Sequence, residues 1–117
     1  MPLHHTIDYV ELSVGDLGAS TSFYADAFGW RTTSYGPGYT GFHDDPGSDH
    51  EGGGLALGDE RPGRPLVLLY SADLDATLAA VEAAGGTVTQ GPYSFPGGRR
   101  FHFTDPTGNE LGVWSER

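Results

Sequence analysis

Glu11 and Glu110 are the residues from which acid–base chemistry would most readily be built. Glu11 lies in the alternating stretch IDYVELSV and Glu110 in NELGVW. Alternation puts Glu11 on one strand face with Tyr9 and Ser13, and Glu110 on one face with Gly112 and Trp114. A carboxylate partly buried beside an aromatic ring is a candidate general base, so these two are the catalytic candidates if the chain is an enzyme. A second group, His43, Asp44, Asp45, Asp49, His50 and Glu51, has side chains of metal-ligand type. It runs directly into Gly52-Gly53-Gly54 and reads more simply as a solvated acidic loop. His4 and His5 precede the first strand and read as a frayed end rather than as ligands. The chain has no cysteine, which excludes disulfides, thiolate catalysis and zinc–sulfur sites. Neither Gly52-Gly53-Gly54 nor Gly97-Gly98 has the strand–loop–helix setting of a nucleotide-binding loop, and Gly97-Gly98 after Phe95-Pro96 reads as a turn.

The elements that must position these residues form an internal repeat. The first strand, residues 7–14, is followed by a helix over 17–28, with Asp16 as N-cap and Gly29 as stop. Strands follow near 30–35, 39–44 and 54–58. Leu66–Ser71 then opens a second round, with a helix over 74–84 capped by Asp73 and stopped at Gly85-Gly86. Strands near 87–90, 99–104 and 109–115 complete it. Setting Asp16 on Asp73 aligns DLGASTSFYADAFGW with DLDATLAAVEAAGG, and Asp45-Pro46-Gly47 faintly matches Asp105-Pro106-Thr107-Gly108. Helical spacing places Phe23, Tyr24 and Phe28 on one face and predicts them as core. The Val10, Leu12 and Val14 face of the first strand is predicted to receive a helix. A single domain over 1–117 is expected, with module one at about 7–58, an exposed linker at 59–65 and module two at 66–115.

This order of motifs resembles the vicinal oxygen chelate superfamily, which includes glyoxalase I, bleomycin-resistance proteins and extradiol dioxygenases. The resemblance rests on Val14-Gly15-Asp16-Leu17, Phe23-Tyr24, Phe28-Gly29-Trp30 and Asp105-Pro106-Thr107-Gly108-Asn109, and it spans about Ile7 to Trp114. It implies an α+β fold in which two βαβββ modules pair into a cupped mixed β-sheet with the helices outside. It also implies a homodimer. Enzymes of the superfamily hold a divalent metal on the first and last strands of each module. The matching positions are Tyr9 and Leu66 on first strands and Gly112 on the last, while the fourth strand of module one offers only Gly54, Leu55, Ala56 and Leu57. None of these supplies a carboxylate or imidazole, so no metal ligand and no cofactor are expected. A rearranged divalent site drawing on Glu11, Glu110 and the His43–Glu51 loop stays open as the alternative.

Parity along the strands predicts a groove lined by Tyr9, Glu11 and Ser13, by Leu66, Leu68 and Tyr70, and by Glu110, Gly112 and Trp114. Trp30, Tyr35, Tyr39, Phe42 and His43 lie on strands of undetermined parity, and several of them are expected to reach it. Such a surface suits a small molecule, and a cationic or aromatic ligand gains from stacking, cation–π contact and charge pairing. Three readings follow. The first is a metal-independent binder that sequesters a ligand such as an antibiotic. The second is a lyase, isomerase or epimerase with Glu11 or Glu110 as base. The third is an interaction domain with a vestigial groove. The formal net charge of −10 argues against nucleic-acid partners. No apolar run is long enough to span a bilayer, and MPLHHTID lacks the regions of a signal peptide, so a soluble cytoplasmic protein is expected.

Overall fold

The computed structural model describes residues 2–58 and 64–117. Most of the expected linker, residues 59–63, lies outside the described residues. The fold class is α+β, and the order strand, helix, strand, strand, strand occurs twice. In the first round β1 (Ile7–Val14) leads to α1 (Leu17–Phe28), β2 (Arg31–Ser34), β3 (Tyr39–His43) and β4 (Gly53–Leu57). In the second, β5 (Leu66–Tyr70) leads to α2 (Leu74–Ala83), β6 (Thr87–Phe95), β7 (Gly98–Thr104) and β8 (Glu110–Ser115). The two rounds share one pairing scheme. The first strand of each runs parallel to the last, as β1 beside β4 and β5 beside β8, and the remaining pairs are antiparallel.

Local chemistry accounts for both helices. Asp16 accepts a hydrogen bond from the Ala19 amide at 2.9 Å, and Asp73 does the same for Ala76 at 3.1 Å, each satisfying an otherwise orphaned N–H. Gly29 ends α1 at φ +71°, and Gly85 follows α2 at φ +102°, a backbone region where a side chain would be strained. We expect Asp73→Ala to cost about 1 kcal/mol in urea unfolding, and an unchanged midpoint would show that the cap is dispensable. The hairpin before β8 is built by one carboxylate. Asp105 accepts from the amides of Thr107 and Asn109 and from the Asn109 side chain at 2.8–3.0 Å. The Asn109 side-chain bond leads the causes that hold the Asp105 carboxyl down at about 2. Its faint upstream match is also a turn, with the Gly47 amide on Asp45 at 2.9 Å.

The chain forms two compact units. One unit is Tyr9–Leu66; the other joins Val67–Arg117 to the N-terminal residues as far as Asp8. His4 and His5 are therefore tied down rather than frayed. His4 Nδ1 accepts from the Ala72 amide at 2.9 Å, and His5 Nε2 meets the Thr77 hydroxyl at 2.8 Å. The His5 amide also bonds the Tyr70 carbonyl at 2.7 Å. Lone histidines ahead of a strand give no sequence signal for such long-range partners.

In the second unit the core is Leu74, Phe101 and Val113, with Leu69, Leu78, Val81, Val88 and Phe103 packed against it. In the first, α1 packs on β2, β3 and β4, where Phe42 and Leu55 are buried. The aromatic face predicted as core differs from expectation. Phe23 is 58% exposed and Phe28 62%, and no residue of α1 is fully buried. Helical spacing says which residues share a face, but not whether a second layer lies opposite all of it. Here the aromatic rings stack on one another, Tyr24 on Trp30 at 5.1 Å and Trp30 on Phe42 at 4.5 Å, and Phe23 and Phe28 are left at the rim.

Candidate functional site

In the first unit the pairing of Glu11 with Gly54, and of Gly54 with Gly41, leaves two adjacent strand positions without side chains. Tyr39 on β3 uses one of these gaps. Its ring lies where a Cβ on Gly54 would stand, and this brings its hydroxyl to the β1 side chains. Tyr39 Oη donates to Glu11 Oε2 at 3.0 Å. A carboxylate only accepts, so the single Tyr39 proton is committed and Tyr9 must donate across the 2.7 Å contact between the two hydroxyls. The series runs Tyr9 to Tyr39 to Glu11. Burial pushes both phenols well above the ordinary tyrosine range, and the Glu11 charge adds to the effect on Tyr39.

The other glycine carries a second arm. The Glu51 carboxylate occupies the space beside Gly41 and accepts the Tyr35 hydroxyl. That hydrogen bond is the leading reason the Tyr35 phenol also lies above its ordinary range. His43, two residues beyond Gly41 on β3, has a buried Nδ1 with no hydrogen-bond partner. Ser13 lies on the Glu11 face of β1, opposite Ala56. Trp30 and Phe42 are placed differently from the expected groove wall, since both belong to the ring stack with Tyr24 of α1. Tyr39, Gly41 and His43 share the opposite face of β3.

In the second unit Leu68 lies over Gly112, filling the space a side chain there would need. Tyr70 packs edge-on against Trp114 at 5.0 Å and donates to Glu116 at 2.6 Å, which raises the Tyr70 phenol. The Trp114 indole N–H donates to Asp8 at 2.9 Å. Glu110 accepts from the Thr89 hydroxyl at 3.3 Å and stands 3.7 Å from His102 Nδ1.

His102, Tyr93 and Arg100 are the polar residues that sequence reasoning missed. His102 is 3% exposed, and its Nε2 lies 2.9 Å from the Tyr93 hydroxyl. Arg100 Nε donates to the same phenol oxygen, and the other imidazole nitrogen, Nδ1, faces Glu110. A register shift in β6 between Gln90 and Tyr93, around Gly91 at φ +82°, brings Tyr93 opposite Arg100. The Gly91-Pro92 pair hid this by reading as the end of a strand. The available signal was the alternation of Arg100 with His102 in GRRFHFT.

The positions where the resemblance would put metal ligands carry other side chains. The Tyr9 hydroxyl is committed to Tyr39, Leu66 is apolar, and Gly54 and Gly112 are overlain by Tyr39 and Leu68. A hard divalent ion needs several carboxylate, imidazole or carbonyl donors, and this set does not fit one. Among the described residues no three His, Asp or Glu side chains gather closely enough to hold a metal. Nor is any helix among them long and apolar enough to cross a membrane.

A family model described as Glyoxalase/Bleomycin resistance protein/Dioxygenase superfamily matches residues 6–113. The anthracycline biosynthesis proteins DauV of Streptomyces sp. (strain C5) and DnrV of Streptomyces peucetius are each 30% identical to the chain, over 91% of it and 45% of their own length. The chain thus spans about half the length of the curated relatives it matches. Among solved structures, the Mn(II)-bound glyoxalase from Novosphingobium aromaticivorans superposes with a TM-score of 0.72 at 30% identity, over 99% of this chain and 40% of that one.

Proposed function

We propose that this chain, which belongs to the Glyoxalase/Bleomycin resistance protein/Dioxygenase superfamily, binds a small cationic or aromatic molecule of antibiotic type without the help of a metal. One observation carries the reading. Tyr39 overlies Gly54, on the β4 strand that offers no metal-ligand side chain, and turns that space into an aromatic surface joined to Glu11. A flat ligand gains ring contact with Tyr39, and a cationic one gains the Glu11 carboxylate besides. The two relatives named for anthracycline biosynthesis support an aromatic ligand. The manganese-bound glyoxalase shares the fold but not, on this reading, the need for its ion.

The test is thermal denaturation with a panel of cationic aromatic antibiotics, in the presence and absence of EDTA. A ligand at about a hundred times its Kd should add about 2.7 kcal/mol of stability, and EDTA should leave that gain intact. Tyr39→Ala should weaken the same ligand by about tenfold or more. Stoichiometric metal in the purified protein, or a gain that EDTA abolishes, would sink the metal-independent reading.

The Glu110–His102–Tyr93 series favours a second reading, a lyase, isomerase or epimerase. A carboxylate facing an imidazole that in turn meets a phenol is suited to passing protons. Glu11→Gln or Glu110→Gln abolishing a measured turnover while ligand affinity survives would decide for this reading.

A further inference from the structure

The Glu51 arm of the first unit holds an unused binding capacity. Its carboxylate lies beside Gly41 and accepts a hydrogen bond from the Tyr35 hydroxyl. Tyr35 is 60% exposed, so the bond that holds Glu51 is made at the edge of bulk water, where such bonds are weak and easily exchanged. The next side chain along that face of β3 is His43. Its Nδ1 is the one buried side-chain nitrogen or oxygen among the described residues that lacks a hydrogen-bond partner. A buried polar nitrogen left unpaired carries a desolvation cost. An unpaired nitrogen one position along the same strand face from the site that a carboxylate fills is complementary to a group with several N–H donors and a positive charge.

We propose that Glu51 and His43 form a subsite for the ammonium or guanidinium of a bound ligand, and that Tyr35 holds Glu51 until the ligand replaces it. The inference rests on the small-molecule reading above and specifies where the cation goes. One ligand N–H bonds the Glu51 carboxylate in place of the Tyr35 hydroxyl, and a second bonds His43 Nδ1, whose ring then carries its proton on Nε2. The exchange gives Glu51 a charge-assisted partner for a neutral one and satisfies the orphaned nitrogen. Tyr35 is thus an internal competitor for the ligand.

Benzylammonium and benzyl alcohol, which share a ring and differ in charge, separate the outcomes in NMR titrations. Tyr35→Phe should tighten benzylammonium about threefold to fivefold, because its competitor is gone, and leave benzyl alcohol unchanged. Glu51→Gln should weaken benzylammonium about tenfold with the alcohol again unaffected. The subsite is overturned if Tyr35→Phe leaves benzylammonium unchanged or weakens it, or if the wild-type protein binds both probes equally well. An equal effect of Glu51→Gln on both probes also overturns it. In those cases binding itself survives. Failure of both probes to bind any form overturns the binding reading together with the subsite.

Discussion

Between about pH 9 and about pH 11 this protein should lose about 3 kcal/mol of unfolding free energy. The cause is the pair of hydrogen-bonded phenols in the first unit. Tyr9 and Tyr39 titrate in the folded chain well above the ordinary value of 10.0, chiefly because burial disfavours the phenolate. In the unfolded chain both lose protons near that ordinary value. Folding therefore holds protons that the unfolded chain releases, and stability is full below the unfolded pKa. It is lost as pH rises from there toward the folded values, at about 1.4 kcal/mol per tyrosine per pH unit once the unfolded phenols are ionised. The six basic residues are all arginine and there is no cysteine, so the side chains that titrate between about pH 9 and about pH 11 are the tyrosines, and Tyr9 and Tyr39 are the pair that burial shifts most. Urea unfolding at stepped pH measures the loss, and Tyr39→Phe should roughly halve it. A flat profile would mean that these phenols are open to water and that the site is not the enclosed surface described above.

The second large effect concerns the space over Gly54. Gly54→Ala should cost about 1–3 kcal/mol, because the new methyl group falls on the Tyr39 ring and hydroxyl. Tyr39 must then swing away, and its bonds to Tyr9 and Glu11 go with it. In a Tyr39→Ala background the three atoms nearest that methyl are gone, so most of the cost should go with them, giving a coupling of about 1–3 kcal/mol between the two positions. Additive costs would show that Tyr39 does not occupy that space in solution. The cycle also bears on function, since Gly54→Ala should lower affinity for a cationic aromatic ligand without touching a charged group.

Several of these features are legible in the chain alone. Asp16 with Gly29 and Asp73 with Gly85 bracket the two helices because capping and the left-handed backbone are local chemistry, decided by a few neighbouring residues. Alternation in IDYVELSV correctly puts Tyr9 and Glu11 on one face, since side chains alternate along any strand. Phe42 and Tyr39 lie on the same short strand and go to opposite faces, which alternation requires but cannot orient. Only the stack with Trp30 and Tyr24 says that Phe42 belongs to the helix side.

Glu11 and Glu110 show where local information stops. The sequence by itself determined two repeats of strand, helix and three strands, the helix caps and the Asp105 hairpin. It also determined which residues share each face of the first strand. Those follow from backbone preference and side-chain alternation, which act over a few residues. The tertiary structure alone decided that Tyr39 overlies Gly54 and ties Tyr9 to Glu11. It alone set His102 between Tyr93 and Glu110 and held His4 and His5 against the Ala72 amide and the Thr77 hydroxyl. Each depends on the register between strands distant in sequence, and a missing side chain signals the space it leaves only once the neighbour that fills it is known.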